Sequence, residues 1–121
     1  RDRSPSRGLG DVYKRQVAIS GPVDHILDAD RHLIVSSGHE WMTRVTGVGC
    51  SLGALTAAFA GIQNDHLIAA VSATAMLCVA AERAAERSAG PGAFAQALVD
   101  ELFLVSPDEV GERGGLRDVT A

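Results

Sequence analysis

An incomplete α/β fold is predicted by three features of this 121-residue sequence. Short segments rich in Val, Ile and Leu lie between residues 17 and 36, a pattern typical of strands. Longer segments from Ser51 onward carry apolar residues at helical spacing. A hairpin followed only by helices would leave sheet edges and one helix face uncovered. We therefore expect one half of a larger α/β domain.

Three short strands are predicted at the start of the patterned region. Val17–Ser20 is apolar and is ended by a Gly-Pro pair, which breaks regular structure. Val23–Leu27 and His32–Ser36 flank the turn-like residues 28–31, so they are interpreted as a hairpin. We expect Trp41–Arg44 to continue as a short extended segment towards Gly47.

Helices are predicted for most of the remaining sequence. We expect them over Ser51–Ile62, over His66 to about Arg87, over Ala93–Leu104, and as a short element that begins near Pro107. Asn64-Asp65 provides a cap for the long helix, and proline suits the first position of the short one. In the third helix, Phe94, Leu98 and Leu102 are expected to face inward. The tail 114–121 fits no single element.

The charge balance excludes two classes of partner. The formal net charge is −4, but residues from Val17 onward hold 6 basic and 13 acidic side chains. Such an acidic surface repels nucleic acid and anionic lipid, so neither is expected as a partner. The alternating charges Glu82, Arg83, Glu86 and Arg87 are interpreted as a solvated helix face of little energetic weight.

Cysteine content and hydropathy predict a cytoplasmic protein. Cys50 and Cys78 form neither a disulfide framework nor a metal-ligand pattern, which fits a reducing compartment. The longest apolar run, Leu67–Ala81, is shorter than the roughly 20 residues that a membrane-spanning helix needs. We interpret it as a buried helix.

The first sixteen residues differ in character from the rest. Arg1–Gln16 is polar, basic and without apolar periodicity. Asp11–Gln16 back-translates to GAT GTG TAT AAG AGA CAG, the transposon end of a sequencing adapter, and the residues before it match the adjoining adapter in the same frame. We interpret residues 1–16 as an adapter-derived, non-native segment, and residues 17–121 as the part that carries the fold.

A glycine-rich turn before the first helix is the strongest candidate site. Gly47 and Gly49 flank Val48, and Cys50 follows immediately. Glycines let the backbone approach a ligand, and the first N–H groups of a helix attract anions such as a phosphoryl group. The residues 47–50 are therefore predicted to cradle phosphate.

Several alternatives to this interpretation stay open at the level of residue patterns. The turn could be a structural connection with a buried cysteine, or a dinucleotide-binding turn, although Gly53 is one residue late for that fingerprint. A cysteine hydrolase would need a histidine partner in a diagnostic setting. His25, His32 and His39 recur every seven residues, but without further ligands they are interpreted as incidental, and no metal ligand is assigned.

Four ordered motifs resemble the hydroxyethylthiazole kinase family. They are Val17-Ala18-Ile19-Ser20-Gly21-Pro22-Val23-Asp24, Gly38-His39, Met42-Thr43-Arg44-Val45-Thr46-Gly47-Val48-Gly49-Cys50, and Ala89-Gly90-Pro91-Gly92-Ala93-Phe94. Ser20 lies 27 positions before Gly47, as in the family. The resemblance extends from Val17 to at least Leu104. It implies the C-terminal half of a ribokinase-like, three-layer α/β fold.

The resemblance also implies roles for individual residues. Gly47, Val48, Gly49 and Cys50 match the anion hole that stabilises the transferring phosphoryl group. Gly47 also matches the glycine that contacts the substrate alcohol, and Cys50 the catalytic cysteine. Ser20 matches the residue that binds ATP. Val48 departs from the small or hydroxylated residue usual at its position, but an anion hole needs only its N–H.

The activity implied by the resemblance is a step of thiamine salvage. Family members transfer the γ-phosphoryl group of ATP to the hydroxyl of 4-methyl-5-(2-hydroxyethyl)thiazole, with Mg²⁺. They form homotrimers, and most thiazole and Mg²⁺ contacts lie in the N-terminal half. We therefore expect this chain alone to be inactive; a nucleotide- or phosphate-binding fragment without chemistry is the alternative.

Overall fold

The computed structural model describes residues 17–121. The interpretation of residues 1–16 as adapter-derived lies outside the described residues and stays a prediction. Four strands and four α-helices follow, with one 3₁₀ helix at Glu40–Thr43. They are β1 (Val17–Ile19), β2 (Asp24–Leu27), β3 (His32–Val35), α1 (Val48–Ala60), α2 (His66–Glu86), α3 (Pro91–Leu104), α4 (Pro107–Arg113) and β4 (Leu116–Asp118).

The strands form one antiparallel sheet in the order β1-β2-β3-β4. The predicted hairpin is confirmed, with Ile26 opposite Leu33 across β2 and β3. The tail that the sequence left open contributes β4, where Leu116 pairs with Val35. Strands on one side and helices on the other confirm the predicted α/β class.

Helix α2 is the centre of the core. Asp65 caps it as predicted, because its side chain accepts hydrogen bonds from the N–H groups of Leu67 and Ile68. One face of α2 packs against Ile26 and Val35 of the sheet. Its C-terminal half packs against Phe94 and other residues of α3. Removing this apolar surface from water is the main stabilising contribution to the described fold.

By length and composition alone, helix α2 is long and apolar enough to cross a membrane. However, 72% of its most apolar window is buried inside the described fold. Burial among other protein elements is what a core helix of a globular domain shows.

An ion-paired arginine links the hairpin to this helix. Arg31 donates two hydrogen bonds to Asp65, of 2.6 and 2.9 Å, and it also pairs with Asp28 at 2.7 Å. These bonds from Arg31 lower the pKa of Asp65 to about 2. The turn between β2 and β3 is thereby held against the N-terminus of α2.

Two local predictions were wrong. Trp41–Arg44 was expected to be extended, but residues Glu40–Thr43 form a 3₁₀ helix. The reason is the His39 side chain, whose Nδ1 accepts a hydrogen bond from the Trp41 N–H at 3.1 Å and so caps this turn. Two helices also begin earlier than predicted. Helix α1 begins at Val48 rather than at Ser51, and α3 begins at Pro91 rather than at Ala93. Proline is suited to the first helical position.

The charged end of α2 is not the solvated face that the sequence predicted. Arg83 pairs with Glu101 of α3 and Glu109 of α4, and Glu101 is only 3% exposed. Arg113 of α4 reaches Glu86 at 2.8 Å and Glu82 at 3.2 Å. Spacing along one helix could not reveal these pairs, because the partners come from the two helices that pack against it.

Candidate functional site

A cleft of about 720 Å³ opens between the sheet, the N-terminal end of α1 and the middle of α2. It brings together residues from four parts of the chain, among them Ser20, Asp24, Gly38, Val48, Gly49 and Cys78. Two predicted segments, the Ser20 strand end and the glycine-rich turn, therefore meet at one cavity. Gly47 and Cys50 adjoin it in sequence but are not among the lining residues.

The glycine-rich turn has the geometry of an open helix N-terminus. Gly47 is the N-cap of α1 with φ of +93°, a left-handed conformation that favours glycine. Its carbonyl accepts hydrogen bonds from both the N–H and the Oγ of Ser51, each at 2.9 Å. Within residues 17–121, no group accepts a hydrogen bond from the N–H of Val48, Gly49 or Cys50. Three donors thus stand at the positive end of the helix dipole.

Helix α1 itself is apolar and lies at the surface of the described fold. None of its residues is buried, although Val48, Leu52 and Leu55 pack against the core formed by α2 and α3. Cys50 is an exposed free thiol on its first turn. An exposed sulfur beside three available N–H groups can contact an incoming anion or alcohol.

The opposite wall of the cleft was not identified from the sequence as a site. Asp24 accepts a hydrogen bond from the Gly21 N–H at 3.3 Å, and its second oxygen accepts one from the Cys78 thiol at 3.5 Å. Burial first, and then the charges of Asp24 and Glu82, raise the pKa of the Cys78 thiol to about 12. Cys78 is buried, which agrees with the prediction that Leu67–Ala81 forms a buried helix. It also lines the cleft.

The aromatic and histidine side chains make contacts within the fold. Trp41 packs against Phe94 of α3, with ring centroids 5.9 Å apart. His25 and His32 share a hydrogen bond of 2.9 Å between ring nitrogens, whereas His39 caps the 3₁₀ helix. The described residues 17–121 contain no group of three or more His, Cys, Asp or Glu side chains placed to hold a metal.

The model of the hydroxyethylthiazole kinase family matches residues 8–108. The chain belongs to the hydroxyethylthiazole kinase family. The match begins before Val17, inside the segment interpreted as adapter-derived, and it includes the cleft and the glycine-rich turn. The resemblance stated from the four motifs is therefore confirmed.

Individual hydroxyethylthiazole kinases support the same assignment. The chain is 97% identical over 109 residues to one from Cutibacterium acnes, covering 90% of this chain and 39% of that protein. It is 53% identical over 94 residues to one from Kineococcus radiotolerans, covering 78% of this chain and 34% of that protein. The chain thus spans about two fifths or less of these relatives' length.

A solved hydroxyethylthiazole kinase structure has the same fold over this region. The protein from Pyrococcus horikoshii OT3 superposes with a TM-score of 0.84 at 36% identity, covering 88% of this chain and 42% of that one. This match confirms the predicted fold class, as part of a larger α/β kinase.

Proposed function

We propose that this chain forms the C-terminal part of a kinase that transfers the γ-phosphoryl group of ATP to the hydroxyl of 4-methyl-5-(2-hydroxyethyl)thiazole. The observation that carries the proposal is the open N-terminus of α1, where Gly47–Cys50 adjoins a cleft that Ser20 also lines. The names of the relatives support the substrate. The reaction belongs to thiamine salvage, and the protein is proposed to be cytoplasmic.

The three available N–H groups are proposed as the anion hole. A phosphoryl group in transfer carries negative charge on its equatorial oxygens, and fixed N–H dipoles stabilise that charge without reorganisation. Val48, Gly49 and Cys50 offer these donors at a helix N-terminus, and the left-handed conformation of Gly47 sets their direction. Gly47 is proposed to contact the thiazole alcohol, and Ser20 to bind ATP.

Cys50 is proposed as the catalytic residue. Its thiol is exposed on the first turn of α1, where it can accept a hydrogen bond from the substrate hydroxyl and orient its oxygen towards the phosphorus. A thiol is a less effective base than a carboxylate, so orientation and the anion hole are expected to contribute most of the rate.

Mg²⁺ is not accommodated by the residues described here. Magnesium prefers several oxygen ligands in octahedral geometry, and the described residues offer no cluster of this kind. We infer that its ligands lie in the N-terminal part of the longer relatives, together with most of the thiazole pocket. The longer protein is proposed to act as a homotrimer.

The proposal is tested by comparing two proteins in an assay of ADP formation that depends on the thiazole alcohol. The chain spans 39% of the Cutibacterium acnes relative, so we expect the 121-residue chain to show no turnover and the full-length kinase to be active. Turnover by the short chain would refute its assignment as an inactive fragment. Inactivity of the full-length protein would refute the kinase function, leaving a nucleotide- or phosphate-binding protein as the alternative.

Two variants of the full-length kinase then test the roles within the turn. Cys50→Ala is expected to lower kcat by about tenfold to a hundredfold, within the usual range for a positioned proton acceptor. A kcat near wild type would remove Cys50 from the mechanism and leave the anion hole intact. Gly49→Val, which places a branched side chain beside the donors, is expected to lower kcat regardless of the role of Cys50.

A further inference from the structure

Glu82 contacts two separate parts of the chain. Its Oε2 accepts a hydrogen bond from the N–H of Gly38 at 3.0 Å. Its Oε1 pairs with Arg113 of α4 at 3.2 Å. Glu82 lies one helical turn after Cys78 on α2, so both residues support the same part of the cleft wall.

The backbone that Glu82 holds is a constrained piece of this wall. Gly38 has φ of +123°, a conformation that residues with a side chain rarely adopt. A Cβ at this position would lie 3.5 Å from the Cys78 sulfur and 3.4 Å from that of Met42, so the backbone is packed closely onto α2. Ser37, Gly38 and His39 all line the cleft.

The other side of the same wall is held by the C-terminal segment. Ser37 Oγ donates to the Gly114 carbonyl at 2.8 Å, and Ser36 N–H donates to the Gly115 carbonyl at 3.2 Å. Arg113, the second partner of Glu82, precedes these two glycines directly. Glu82 therefore bridges the cleft wall and the segment that supports it.

We propose that Glu82 is a positioning residue for nucleotide binding, acting through Gly38 on the wall Ser37–His39. This inference rests on the proposed function, because Ser20, the proposed ATP-binding residue, lines the same cleft. Glu82 itself is not among the residues that line the cleft. A charged acceptor forms a stronger hydrogen bond than a neutral one, so it fixes the wall in a single position.

Three variants of the full-length kinase test the proposal. Glu82→Ala removes the acceptor, whereas Glu82→Gln keeps an oxygen that can accept from Gly38. Glu86→Ala is the matched control, because Glu86 also pairs with Arg113, at 2.8 Å, but its side chain is 64% exposed. Among the described residues, Glu86 accepts no hydrogen bond from Ser37, Gly38 or His39. The readouts are ATP affinity by calorimetry, KM for ATP, and kcat.

We expect Glu82→Ala to raise both the dissociation constant and the KM for ATP about tenfold, which is a loss of about 1.4 kcal/mol of binding free energy. The kcat of this variant should change less than twofold. Glu82→Gln should restore most of the affinity, and Glu86→Ala should match wild type. Equal ATP affinity in Glu82→Ala and Glu86→Ala would overturn the proposal. A loss of kcat at unchanged affinity would also overturn it.

Hydrogen exchange at the Gly38 amide gives a readout that needs no turnover. We expect faster exchange in Glu82→Ala than in Glu86→Ala, and equal rates would overturn the proposed link. Failure of the proposed kinase function can be distinguished from failure of the Glu82 proposal. The first would appear as an absence of thiazole phosphorylation by the wild-type protein, in which ATP affinity and hydrogen exchange can still be measured. Absence of ATP binding by the wild type would overturn both proposals.

Discussion

Two glycines of the glycine-rich region are expected to respond in opposite directions to the same substitution. Gly47 has φ of +93°, and Gly53 lies within α1 without a positive φ. Apart from adjacent residues and the backbone of α1 itself, no atom of residues 17–121 lies within 4 Å of a Cβ built at either position. Alanine is therefore free of steric clash at both sites, and only the backbone conformation distinguishes them.

The magnitudes follow from the backbone alone. Alanine in the left-handed region costs about 1–2 kcal/mol, so Gly47→Ala should lower the free energy of unfolding by that amount. In a helix interior, alanine is more favourable than glycine by about 0.8–1 kcal/mol, so Gly53→Ala should raise it by up to that amount. The two variants should then differ by roughly 2–3 kcal/mol, the sum of these two effects.

Urea unfolding followed by circular dichroism measures this difference. With a slope of about 2 kcal/mol per molar urea, the midpoints of the two variants should lie roughly 1–1.5 M apart, with wild type between them. If Gly47→Ala were as stable as Gly53→Ala, the left-handed conformation at the start of α1 would be refuted, and with it the orientation of the proposed anion hole.

Three further predictions concern the ion pairs and the cysteines. Glu101→Gln is expected to lower the free energy of unfolding by about 1–3 kcal/mol, because Arg83 and Arg87 both pair with this buried carboxylate and would lose its charge. Asp100→Asn, on the exposed side of α3, should change the free energy of unfolding little. Urea unfolding of both variants measures the difference. The pKa of Asp65 is lowered in the folded state to about 2 from an ordinary value of 3.8, so its stabilising contribution is present above pH 4 and is lost as pH falls towards 2. Asp65→Asn should lack this acid-dependent loss, and an unchanged pH profile of unfolding would contradict the ion pair. Iodoacetamide should modify the exposed Cys50 in the native protein, whereas the buried Cys78, whose pKa is raised to about 12, should react only after urea is added. Mass spectrometry of the labelled protein measures this, and modification of Cys78 without urea would contradict its burial.

Features encoded by neighbouring residues were predictable from the sequence. Asp65 before an apolar helix predicted a cap, and two segments rich in Val, Ile and Leu on either side of a turn-like sequence predicted the hairpin. The glycine-rich turn and Ser20 were identified by motif spacing, and both border the cleft. Each of these signals depends on residues that are close in sequence or on a fixed number of residues between two motifs.

Features that depend on distant partners were not predictable. Strand β4 has three exposed residues and no apolar alternation, so nothing local distinguishes it from a loop. The contacts of Glu82 with Gly38 and Arg113 join residues that lie 44 and 31 positions away from it in the sequence. Asp24 and Cys78 meet across 54 residues, and only the packing of α2 on the sheet brings them to one wall.

The pairing of β3 with β4 has a consequence for the order of folding. The bond between Ser36 and Gly115 closes a loop of 79 residues, whereas β2 and β3 pair across a short turn. Closing a longer loop costs more chain entropy, and contacts at large sequence separation slow folding. We therefore expect the hairpin and α2 to form first, and the wall of the cleft to be the last region to acquire its native structure.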